Sequence, residues 1–112
     1  MATDDLDGVV AAPAHHAVLF ENDAVRVLET TIRSGDVTPL HTHLTPTVSY
    51  VVSGSHLLRR DRDERTLLDT RTDPDFVMPR VLYSAGLPPH TLENPGPSDL
   101  VIIGVELKQR QG

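Results

Sequence analysis

The sequence predicts an all-β protein, a sandwich or barrel of short strands. Three observations carry that expectation. Short runs rich in aliphatic and β-branched residues follow one another along the chain. The 9 prolines and 7 glycines punctuate those runs at close intervals. No window shows a helical period.

The elements can be read in order. Residues 1–14, dominated by Asp, Ala, Pro and Gly, are expected to form a flexible tail, followed by one domain over residues 15–112. "AVLF", the turn "END" and "AVRVLETTI" read as a hairpin, closed by "RSGD". The segment around His41 and His43 comes next, then "TVSYVVSG", apolar on both faces and so expected to be covered on both. "SHLLRRD" and "RTLLDT" flank a polar turn, and the alternating charges of "RRDRDER" read as a solvated hairpin. "RTDPD" is a loop. "FVMPRVLYS" is strand-like, with Pro79 favouring an edge or a bulge. "AGLPP" reads as a turn, "HTLEN" as a short strand, "PGPSD" as a turn and "LVIIGVELK" as a buried final strand.

The totals bound the function. At 112 residues the chain has room for one core. A net charge of −6 argues against nucleic-acid and anionic-membrane partners. With no cysteine, disulfides and thiolate metal sites are excluded. The N-terminus has neither a basic region nor an apolar stretch of the kind that directs secretion, and no run reaches the roughly 18 apolar residues of a spanning helix. A cytoplasmic location is the expectation.

The chemistry gathers on histidine. On a strand, residues two apart share a face and lie about 6.6 Å apart at Cα. His41 and His43 can therefore converge on one ion, although such a pair beside a turn can equally be a hydrated surface feature. His56, two residues past Gly54, reads as a proton shuttle, an extra ligand or an ordinary strand residue facing water. Tyr83 is a second candidate for catalysis. Tyr50 lies on the opposite face from Thr47 and reads as packing. Asn94 reads as the start of the "NPG" turn. His15 and His16 are placed with the tail and given no role.

Gly35, His41, His43 and Gly54 stand in the register of G-x5-H-x-H-x3-E-x6-G, with Thr47 in place of the glutamate. Ser84, Gly86, His90 and Asn94 follow P-x-G-x2-H-x3-N with serine for proline and one extra residue before the histidine. Over about residues 17–108 the chain therefore resembles the small single-domain cupins. The resemblance implies a jelly-roll β-barrel with a divalent metal held by His41, His43 and His90, and with Thr47 at the vacant glutamate position. Three neutral imidazoles would leave the full 2+ charge on the ion. Fe(II) or Zn(II) suits such a set, and Mn, Ni or Cu is compatible with it.

Three functions stay open. The first is an enzyme acting on a small oxygen-bearing organic molecule, dioxygenase-like. The second is a metal-dependent isomerase, lyase or polyketide-type cyclase. The third is a non-catalytic module binding a small ligand in the barrel. The apolar outer faces of "TVSYVVSG" and "LVIIGVEL" predict a homodimer.

Overall fold

The computed structural model describes residues 6–77 and 80–108. Its regular structure is mostly the helical turn α1 (Gly8–Ala11) and nine strands. These are β1 (His16–Glu21), β2 (Val25–Ile32), β3 (His41–His43), β4 (Thr47–Ser53), β5 (Leu58–Asp61), β6 (Thr66–Asp69), β7 (Arg80–Ser84), β8 (Leu87–Glu93) and β9 (Leu100–Leu107). They form a five-stranded sheet in the order β1-β2-β9-β4-β7 and a four-stranded sheet in the order β3-β8-β5-β6. The strand pairs are antiparallel. Two hairpins close on tight polar turns: Asn22 Oδ1 accepts from the amides of Ala24 and Val25 between β1 and β2, and Asp61 Oδ1 from those of Asp63 and Arg65 between β5 and β6.

The core joins both sheets. Ile32, Val51, Leu57, Leu92 and Leu100 are its buried centre, with Leu68, Phe76, Leu82 and Ile102 packed against it. Strand alternation sets which side chains enter. Leu28, Thr30 and Ile32 of β2 are buried, as are Leu100, Gly104 and Glu106 of β9. Gly54, which resembles a motif glycine, has φ 119° and lies so close to Leu100 that an added Cβ would stand 2.8 Å from its Cδ1. Both facts exclude a side chain there.

Three expectations need correction. β4 is not covered on both faces within one chain, because Val48, Tyr50 and Val52 are exposed on its outer side. The "RRDRDER" run is not wholly solvated: Arg59 faces the interior while the turn beyond it faces water. "AGLPP" is not all turn, since β8 begins at Leu87 and carries Pro88 and Pro89. His41 pairs with His90 and His43 with Leu87, so two steps on β3 oppose three on β8. The extra residue between Gly86 and His90 is thus taken up as a bulge, where missing proline amides are tolerated. β7 is an edge strand, as its sequence suggested; Pro79 lies outside the described residues.

Within the segment expected as a tail, residues 6–14 include α1 and Ala12, which has no exposed surface. Asp7 forms a bridge to Thr42 of the four-stranded sheet and caps α1. No helix among the described residues is long and apolar enough to cross a membrane.

Candidate metal centre

β3 brings His41 and His43 into the interior, β8 brings His90 beside them, and β1 adds His16 from its first position. Ring centroids lie 4.4 Å apart for His41 and His90, 4.8 Å for His16 and His41, 4.9 Å for His41 and His43, 5.3 Å for His16 and His43 and 5.6 Å for His43 and His90. Nitrogen atoms of His16, His41 and His43 all lie within 4.8 Å of one another, a set able to hold a metal ion. His41 touches each of the other three rings.

Each imidazole is oriented by an acceptor at Nδ1. That of His41 donates to the carbonyl of Pro39 at 2.8 Å, and that of His90 to the carbonyl of Pro88 at 2.8 Å. His16 Nδ1 donates to the carbonyl of Ala12 at 3.0 Å. His43 Nδ1 donates to Glu106 Oε2 at 3.1 Å. Carbonyls and carboxylates only accept, so the proton of each neutral ring sits on Nδ1 and the lone pair on Nε2. This is how metal-ligating histidines are held from behind. Two of the anchors repeat one local device, in which the ring bonds the proline carbonyl two residues earlier.

Burial pulls the pKa of His41 down to about 3 and that of His90 down to about 4, with the neighbouring positive groups adding to the effect. Burial lowers His16 as well. At neutral pH these rings are uncharged, the form that binds a cation.

A carboxylate stands on the strand beside Thr47. Thr47 lines the cavity and pairs across the sheet with Glu106 of β9. Its hydroxyl donates to the carbonyl of Thr45 at 3.1 Å. Glu106 accepts from Arg26 Nε at 2.6 Å and from His43, and Arg26 also binds Asp7 at 2.8 Å. Burial pushes the Glu106 carboxyl up, but its bonds from His43 and Arg26 outweigh that and hold it below its ordinary value. Glu106 therefore stands behind His43 as an ionised carboxylate.

The histidines open on a cavity of about 250 Å³. Leu28, Leu57, Leu68, Leu82, Leu92 and Ile102 wall it, and Thr30, Ser49, Ser84 and Arg59 add polar groups.

The structure thus brings His41, His43, His90 and Thr47 to one chamber. It does not bring His56 there: that ring lies outside the cavity lining, with Nδ1 3.1 Å from Thr70 Oγ1. Tyr83 borders the cavity, but its pairing with Val48 turns the ring to the outer face, where it is 66% exposed. Tyr50 is also exposed on that face. Asn94 is buried, and it both starts the turn and ties it down, donating to the carbonyls of Ile32 and Ser98 and accepting from the Gly96 amide. Sequence reasoning missed His16, Glu106, Arg26 and Arg59. Strand phase could have found Glu106, which shares a face with Ile102 and Gly104. Nothing local marks His16, because its partners are remote in sequence.

No family model matches the chain, and no curated protein matches it. Solved structures do. The chain is similar to a cupin domain from Bordetella pertussis Tohama I, with a TM-score of 0.68 at 20% identity over 84% of this chain and 92% of that one. It is similar to an RmlC-like cupin family protein with a double-stranded β-helix fold from Methanocaldococcus jannaschii, with a TM-score of 0.63 at 12% identity over 82% and 77%. A predicted oxalate decarboxylase from Thermotoga maritima matches with a TM-score of 0.54 at 20% identity over 84% and 79%. Two antiparallel sheets around a histidine-lined chamber, and this likeness, give the same answer: the chain has the cupin fold, a double-stranded β-helix.

Proposed function

We propose that the chamber holds one divalent metal on histidine Nε2 atoms and is the active site of an enzyme for a small oxygen-bearing organic molecule. One observation carries this reading. Four interior imidazoles, from β1 and from the paired strands β3 and β8, each have Nδ1 tied to a fixed acceptor, which leaves Nε2 free, and the ligand atoms of His16, His41 and His43 lie within 4.8 Å of one another. His41, His43 and His90 are the donors expected of such a chain, and His16 supplies a further one in a site whose glutamate position holds Thr47. When bound, the metal supplies Lewis acidity at a substrate oxygen and, as Fe(II), reactivity with dioxygen. The chain's own residues do the rest. Glu106 keeps the His43 proton on Nδ1, the leucines exclude water, and the Thr30, Ser49 and Ser84 hydroxyls are available to orient a polar ligand.

A dioxygenase-like reaction is the first reading. A redox-neutral lyase, isomerase or cyclase is the second, favoured by one observation: a structural neighbour is a predicted oxalate decarboxylase. Elemental analysis of protein purified without added metal tests the common premise. We expect about one metal ion per chain, and most of it lost in His41→Ala, because the remaining rings no longer surround one point. Equal metal content in wild type and His41→Ala would overturn the assignment. Oxygen consumption by the Fe(II) form with a panel of diketones, 2-oxo acids and phenols then separates the two reactions. Turnover of the same panel by the zinc form without oxygen marks the second.

A further inference from the structure

We propose that Arg59 is a carboxylate-recognition residue, and that the chamber's ligand is a small organic acid whose anionic end pairs with it. The inference deepens the reading above by naming a substrate class, and rests on that chamber being the ligand site.

The register places Arg59 in the wall. It pairs with Leu92 on β8 and with Leu68 on β6, and both leucines line the cavity. Paired residues point to the same side of a sheet, so the guanidinium stem enters between two leucines. Its Nε is buried without a hydrogen-bond partner. Among the described residues no carboxylate forms an ion pair with it, whereas Arg60 and Arg71 each pair with one and Arg26 with two. Burial alone pulls its pKa below the ordinary value, and its charge in turn lowers His90.

Arg59 as a whole is half-buried, but its buried Nε lacks a partner, and an unsatisfied buried donor is costly. Buried polar groups without partners are rare in native proteins and concentrate where a ligand completes them. The fork of a guanidinium matches a carboxylate through two parallel N–H donors. The cavity lining holds Arg59 between Leu68 and Leu92, and His90 lies two residues along β8 from Leu92 on the same face. A ligand that uses both has a carboxylate for Arg59 and an oxygen for the histidines. At about 250 Å³ the cavity lies below the roughly 300–1,000 Å³ of drug-sized pockets, which suits a small acid.

Calorimetric titration tests this with acetate, pyruvate and 4-oxopentanoate, each against its neutral amide. The protein is used metal-free and zinc-loaded, as wild type, Arg59→Met, Arg59→Lys and Arg60→Gln. At least one acid should bind wild type at millimolar concentration or better, with its amide weaker by about tenfold or more. Arg59→Met should lose that preference, Arg59→Lys should keep part of it, and Arg60→Gln, whose arginine pairs with Glu93 instead, should keep all of it. Arg59→Met should melt no lower than wild type, since it removes a buried Nε that has no partner. Equal binding of acid and amide, no binding of any acid, or an unchanged preference in Arg59→Met would overturn the inference. The preference of wild type for acid over amide needs no variant, so a folding defect leaves the test intact. Failure of zinc to bind while acids are still preferred would sink the metal reading alone.

Discussion

His41 and His90 lie beneath the surface with their Nδ1 atoms on proline carbonyls, and their folded pKa values fall to about 3 and about 4. In the unfolded chain a histidine titrates near about 6.5. As pH falls, the unfolded state takes up protons first. The stability these rings allow is therefore complete above about pH 6.5 and is lost progressively toward the folded values. Each ring adds up to about 1.4 kcal/mol per pH unit to that slope. Urea unfolding of the metal-free protein should show a flat midpoint above about pH 7 and a falling one between about 6.5 and 4.5. The slope should be shallower in His90→Asn. A midpoint unchanged across that interval would mean the rings are already charged in the fold. Glu106, held ionised by His43 and Arg26, adds a further loss at lower pH, where its carboxyl protonates in the unfolded chain first.

Among the elements, α1 and the β8 bulge set the shape of the centre. α1 is a single turn, too short to stand alone. It is held because Asp7 binds Arg26 and because Ala12 is buried. Gly8 then lies against the histidines: a Cβ there would stand 2.7 Å from His43 Cε1 and 3.4 Å from His16 Nε2. Gly8→Ala must move either the turn or the His43 ring. We expect a stability loss of about 1–3 kcal/mol and weaker metal binding. Urea midpoints and competition with a chelator measure the two effects. Wild-type values for both would show that the turn yields without disturbing His43. The bulge acts on the other wall, since its extra residue keeps His90 opposite His41 while Leu87 stays opposite His43.

Across the whole molecule, the two faces of the five-stranded sheet differ sharply. The inner face meets the chamber. On the outer face, Phe20, Val27, Val105, Val48 and Tyr83 stand side by side across all five strands. Tyr50, Val52 and Val81 extend the patch, and all three are exposed. At about 4.8 Å between strands and about 3.4 Å per residue, the five strands together present a face of about 550 Å². That is at the upper end of the apolar patches monomers carry, and approaches the roughly 800 Å² that each partner of a stable pair buries. We expect a second copy of the chain to cover it in a two-fold homodimer. Light scattering after size exclusion should give about twice the 12.3 kDa chain mass at micromolar concentration. Tyr50→Glu should shift the mass to that of one chain. A single-chain mass for wild type would rule the pairing out.

Local signals in the chain set its strands, its turns and half of the chemistry. Alternation, proline and glycine are local signals, so β1, β2, β4, β5, β6 and β9 were legible where they occur. His41, His43 and His90 were legible because spacing along a strand dictates which side chains share a face, and because their motifs resemble those of cupins. Only the tertiary structure decided the rest. His16 joins the cluster because β1 pairs with β2 so that His16 stands opposite the inward Thr30. Glu106 reaches His43, and Arg59 enters between two leucines, because sheet closure brings together strands remote in the chain. A charged run reads as solvated when only its neighbours in sequence are known. Whether one of its members is buried depends on the strands beside it, here the leucines of β6 and β8.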